Sequence, residues 1–279
     1  MAEDQQRLSR SLQDFQISKN EAAEYLAREL GIEFSQVPPK VELNLRNRIR
    51  WAKDKGIGGA IARTITSTRG AVAAYDRSYG AVFAPKDDLF AELHENGHAL
   101  LDSINPHIRD SIDELAIMVA QRVAGRPINL DSVERIMVYR CFDEGVAQWG
   151  ALRTAGKLTD HFESEDVLSM ENSMLHGVEK DHAANFIQDQ FRVIRQAISA
   201  YKAVLSQTGP KVMIEGMKLE SQFSDPQYVI GYHFVKGAMQ TLTDSGRKVG
   251  EALMELIGKP PESMDDLEKP QDYVVRLKA

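Results

Sequence analysis

Apolar residues follow three successive rhythms along this chain. Between residues 3 and 30, Leu8, Leu12, Phe15, Ala22, Ala23, Leu26 and Leu30 recur at three- and four-residue spacings and stop at Gly31. That pattern predicts an amphipathic helix closed by a glycine C-cap. After Pro38-Pro39 the rhythm shortens. Val41 to Leu45, Ala60 to Thr66, Ala71 to Tyr75 and Gly80 to Phe83 read as short strands, the last two joined by a turn at Asp76-Arg77-Ser78-Tyr79. From Asp87 onward helical periodicity takes over, with segments at 88–104, 107–124, 131–155, 163–177, 182–207, 227–244 and 247–257 separated by Gly and Pro. Pro260-Pro261 and Pro270 predict an extended, irregular tail.

These elements predict an α+β fold: a small, mostly antiparallel N-terminal sheet packed on the helix at 88–104, then a predominantly helical remainder. Residues 1–105 are expected to form the N-terminal part and residues 106–279 the helical part, with one site between them.

Composition narrows the chemistry. With 279 residues, 43% of them hydrophobic, the chain can bury a sizeable core. Its 34 Lys and Arg against 41 Asp and Glu leave a net charge of −7, which argues against nucleic acid or an anionic lipid surface as partner. The single cysteine, Cys141, excludes an intramolecular disulfide and a cysteine-rich metal site, so any metal must be held by His and carboxylates. The longest apolar run, Leu115 to Ala120, falls far short of the roughly 20 residues of a transmembrane helix. The opening MAEDQQRLSR has no apolar leader, so a cytoplasmic location without membrane attachment is expected.

The segment His94-Glu95-Asn96-Gly97-His98 lies within a predicted helix that Asp88 is placed to cap. Residues at i and i+4 project from one side, so His94 and His98 can supply the first two ligands of a tetrahedral zinc ion, Zn2+. Glu95, between them, is placed to take a proton from a water at the metal. Leu101 and Ile104, three and six residues past His98, exclude the metalloprotease pattern whose third histidine lies on the same segment. A later glutamate must then complete the set. Glu144 falls on the stripe of Val133, Met137, Cys141 and Leu152, where a free anion is costly to bury and a divalent cation makes it favourable. An ion pair with Arg122 or Arg195 is the structural alternative for Glu144. Glu114 is the competing ligand, although it lies near a helix start, where acids are usually solvated.

His94-Glu95-x-x-His98 followed by Glu144-Gly145-Val146-Ala147 on a later helix resembles the gluzincin clan of zinc metallopeptidases, over about Ala71 to Val235. The resemblance implies that a strand of the preceding sheet lines the cleft and binds extended substrate backbone. Tyr228-Val-Ile-Gly231 resembles the Tyr-x-x-Gly element of aminopeptidase-type members, whose phenol donates to the tetrahedral oxyanion. Tyr228 is then the expected transition-state stabiliser, with Tyr232, His233, His176 and His182 as other candidates. Two departures stand out. Gln148 replaces the aspartate that orients a ligand histidine in thermolysin-like members, and Ala84-Pro85-Lys86-Asp87 stands where exopeptidases carry a glycine-rich substrate motif. The expected function is a zinc-dependent peptidase acting on a peptide or protein. A catalytically silent binding module and a non-peptide zinc hydrolase are the alternatives.

Overall fold

The Asn20 side chain accepts from the Ala23 N–H and starts helix α1 (Glu21–Leu30); Gly31, at a left-handed φ of 68°, ends it with its N–H on Ala27 O. The computed structural model describes residues 12, 15–44, 47, 51, 73–174 and 182–277. Just ahead of α1 lies strand β1 (Ile17–Ser18), so the helix predicted over 3–30 is instead ten residues long and preceded by a strand; residues 1–11 and 13–14 lie outside the described residues. The chain turns at Asn20 because its amide also donates to Pro38 O and to Asn96, anchoring the start of α1 to tertiary structure.

Strands β2 (Lys40–Glu42), β3 (Ala74–Asp76) and β4 (Ala81–Ala84) complete a sheet of order β1-β2-β4-β3. The pairs β1/β2 and β3/β4 are antiparallel, whereas β2 and β4 run parallel with Val41 opposite Phe83, so the sheet is mixed. A parallel pair needs a crossover connection, and the residues between β2 and β3, which include the predicted strand Ala60 to Thr66, lie mostly outside the described residues. Asp76 closes the β3/β4 turn by accepting from the Ser78 N–H and hydroxyl. One sheet face buries Phe15, Tyr79 and Phe83 edge to face, with Trp51 stacked on Phe83 at 4.6 Å. β4 is buried along its whole length, with helix α2 (Leu89–Ile104) against the sheet.

The remainder is helical: α3 (Pro106–Val123), α4 (Ser132–Ala155), α5 (Ser164–Met174), α6 (Ala183–Leu205), α7 (Lys211–Asp244), α8 (Val249–Gly258), α9 (Met264–Glu268) and α10 (Pro270–Leu277). Two expectations need correction. Helix α7 begins at Lys211 and continues through Pro226, although proline removes a backbone donor there; Phe223, Gln227 and Ile230 are buried around it, so packing carries the helix past the break. The tail is also not irregular. Ser263 and Asp266 form a reciprocal cap for α9, and Pro270 occupies the first position of α10, where its missing N–H costs nothing.

Helix α4 is buried on nearly every face and lies between α2 and α7. Glycines set both crossings: a Cβ on Gly97 would stand 2.5 Å from Ala147 Cα, and one on Gly145 2.7 Å from Gly231 Cα. The main core runs through both parts of the chain, from Leu26 and Leu93 to Phe142, Phe234 and Leu256. Among the described residues no helix is long and apolar enough to cross a membrane.

Candidate metal centre

Helix α2 starts where Asp88 accepts from the Ala91 N–H, and it carries His94 and His98 on the side that meets α4. Its opposite attachments are polar and buried. Glu92 pairs with Lys40 of β2, and Asn96 exchanges hydrogen bonds with Asn20 while donating to Glu92 O. The helix is thus held in rotation by β2 and by the start of α1, and the close contact at Gly97 brings α4 against it.

Two ring nitrogens approach one carboxylate oxygen as a result. His94 Nε2 lies 3.3 Å and His98 Nε2 3.4 Å from the same oxygen, Glu144 Oε2. That oxygen is buried and has no hydrogen-bond partner, although it faces two ring nitrogens. Two ligands about 2.0–2.1 Å from one tetrahedral zinc ion stand roughly 3.3 Å apart, and each histidine lies at that separation from Glu144. The donor set, two imidazoles and a carboxylate, suits zinc as well. Burial opposes ionisation of Glu144, yet the two imidazoles, His98 foremost, hold its carboxyl well below the usual carboxylate range. Arg122 bonds backbone carbonyls of Gln207, Ser206 and Arg126, and Arg195 pairs with Asp265 and Glu268, so neither is the partner of Glu144. The potential ligand groups found among the described residues are His94, Glu95 and His98, and His98, Asp143 and Glu144, which share His98; Glu114 joins neither.

Behind His98 lies a support that the sequence reading missed. Asp143 Oδ1 stands 2.9 Å from His98 Nδ1, and Asp143 Oδ2 lies 3.2 Å from Arg109 Nη1. Burial disfavours a charged His98, but Asp143 and then Glu144 outweigh it and push its pKa up to about 10. The orienting carboxylate therefore comes from the residue before Glu144, where Gln148 had left the position empty. The sequence signal was present: two consecutive acids inside the otherwise buried run Cys141 to Ala147. His94 Nδ1 and His98 Nδ1 are both buried without a hydrogen-bond partner, so Asp143 supports His98 as an ion-pair contact, and His94 has no counterpart to it.

Glu95 faces the sheet. Its Oε2 accepts from the Tyr75 backbone N–H at 2.5 Å, which brings β3 to the centre. The Tyr75 phenol donates to Asp102, two turns along α2, and Asp102 also pairs with Arg77. Tyr228 arrives from α7 on the other side. Its ring centroid lies 5.6 Å from that of His94, and Glu144, ahead of burial, holds the phenol protonated well above its ordinary range. The approach depends on Gly231, one turn on, which lets α7 touch α4. Tyr232 donates to Glu171 at 2.7 Å and His233 is kept neutral by burial and by Lys236, while His182 stands before α6 and His176 lies outside the described residues.

Glu95, Asp143 and Glu144 face one guanidinium, Arg109, so the group carries two surplus negative charges. One divalent cation would neutralise them, and a proton on His98 offsets part of the charge. Comparison with known protein families, with curated proteins and with solved structures gives no match for this chain.

Proposed function

We propose that this chain is a zinc-dependent peptidase of the zincin type, with His94, His98 and Glu144 as metal ligands. The observation that carries the reading is the approach of both Nε2 atoms to one oxygen, Glu144 Oε2, at 3.3 and 3.4 Å, with Glu95 grouped with the two histidines and the Tyr228 ring against His94. When bound, the ion supplies a Lewis acid and lowers the pKa of a water toward neutrality. Glu95 takes the proton of the attacking water and returns it to the leaving amine. Tyr228, held protonated beside Glu144, donates to the oxyanion that develops on the scissile carbonyl. Asp143 fixes the ring of His98 from behind.

A peptide substrate is favoured by β3. Among the described residues it pairs with β4 on one side only, and its Tyr75 amide reaches Glu95, so extended backbone added along that edge would run past the general base. Zinc-loaded protein incubated with an unfolded protein and a mixed peptide library should release new amino termini. Glu95→Gln should keep its zinc and lose about 10²- to 10⁴-fold in rate. Cleavage at the wild-type rate by that variant would remove Glu95 from the role.

A further inference from the structure

Arg109 is held where a cation is physically disfavoured. It lies in the first turn of α3, at the positive end of the helix dipole, with no acidic residue in that turn to offset it. Its side chain keeps only 19% of its surface exposed. Burial opposes its charge, and Asp143 first, then Glu144, Glu95 and Asp102, more than compensate. Its position is also defined from below. The guanidinium carbon lies 5.9 Å from the centroid of the Tyr75 ring, and Tyr75 is fixed at both ends by Glu95 and Asp102. Arg77 takes the second oxygen of Asp102 at 3.0 Å, which leaves Asp143 as the direct ion-pair partner of Arg109.

We propose that Arg109 is a positioning residue for the metal centre: paired with one oxygen of Asp143, it holds the other 2.9 Å from His98 Nδ1 and so fixes the ring that presents Nε2 to the cation. The inference rests on the metal-centre reading and adds to it that a residue out of contact with the ion governs how tightly the ion is held. Two effects compete when Arg109 is removed. Loss of its positive charge strengthens cation binding by simple attraction, whereas an Asp143 free to turn away weakens it through His98. The second effect acts on a group touching a ligand and the first acts only from behind that group. Loss of such outer support typically costs about 10- to 100-fold in metal affinity, so weakening wins.

The test is Zn2+ affinity of the full chain by chelator competition, with Co2+ absorption spectra, for wild type, Arg109→Met, Arg109→Lys, Asp143→Asn and the double variant Arg109→Met/Asp143→Asn. Arg109→Met should bind Zn2+ about 10- to 100-fold more weakly, Arg109→Lys should fall between it and wild type, and the double variant should be no weaker than Asp143→Asn alone. The Co2+ bands of Arg109→Met should move toward those of Asp143→Asn, a change that a general loss of stability would not produce. Should Arg109→Met fail to fold, Arg109→Lys and its combination with Asp143→Asn carry the same comparison. Unchanged or tighter Zn2+ binding, or losses that multiply in the double variant, would overturn the proposal. If wild type binds neither ion, the metal-centre reading fails and this proposal with it; normal wild-type binding with an unaffected Arg109→Met fails the proposal alone.

Discussion

Placing one methyl group at Gly231 tests how the centre is assembled. A Cβ there would stand 2.7 Å from Gly145 N and 2.8 Å from the Cys141 carbonyl carbon, with the Cys141 oxygen nearer still. Ordinary contact begins at 3.4 Å, so the first distance alone demands that α7 and α4 part by 0.7 Å (3.4 minus 2.7). All three obstacles are backbone atoms and cannot rotate away. Overpacking of this kind costs about 1–3 kcal/mol, and a backbone-on-backbone clash belongs at the upper end. Alanine regains about 1 kcal/mol of helix propensity, which leaves a net loss of about 2 kcal/mol. Gly216, in the same helix, is the control. A Cβ there meets only Val119 Cγ2 at 3.8 Å, so Gly216→Ala should be stabilised by up to about 1 kcal/mol. Urea denaturation of both variants reads the difference, about 3 kcal/mol. Equal stabilities, or a Gly231→Ala protein more stable than wild type, would refute the close crossing that brings Tyr228 to Glu144.

Other consequences follow from the same geometry. Gly97→Ala forces apart the two ligand-bearing helices, by 0.9 Å at Ala147 Cα (3.4 minus 2.5), against a tolerance of about 0.2 Å for metal ligands. Its Zn2+ affinity, read by chelator competition, should drop by about 10-fold or more while that of Gly216→Ala stays at the wild-type value. Burial pushes the Cys141 thiol up to about 12, so a thiol reagent at pH 8 should titrate it only in denaturant; rapid reaction of the native protein would contradict its packing. His98 gives a pH signature in metal-free protein. Its folded pKa is raised, to about 10, so the stability it contributes is complete below about pH 6.5 and is lost as pH rises through 10. Urea midpoints in chelator should therefore fall between pH 6.5 and 10, and saturating Zn2+ should abolish the fall; a flat metal-free profile would count against the Asp143–His98 contact.

The sequence made part of this site legible and left part of it hidden, for identifiable reasons. His94, Glu95 and His98 could be read because one helical turn fixes their relative directions. Glu144 could be read because a carboxylate on an apolar stripe needs a counter-charge. Asp143 is hidden because periodicity marks a single buried stripe on α4, whereas the helix is enclosed on nearly all sides and the residue beside Glu144 also faces a partner. Arg109 and Tyr75 reach the centre from a helix start and an edge strand, through contacts that no local spacing encodes. Prolines misled in both directions. Pro226 lies inside α7 and Pro270 begins α10, because packing carries the helix past the first and the second takes the favoured first helical position. The parallel pairing of β2 with β4 depends on the crossover between them, and strand periodicity carries no information about partners.

Metal content measured by mass spectrometry on untagged, chelator-treated and zinc-reconstituted protein, with Glu144→Ala beside wild type, tests the central claim most directly. The account predicts one tightly held Zn2+ per wild-type chain and its loss, or a sharply weakened hold, in Glu144→Ala, with both proteins folded by circular dichroism. A folded wild-type chain that takes up no divalent ion, or a Glu144→Ala variant that retains zinc as tightly, would contradict it.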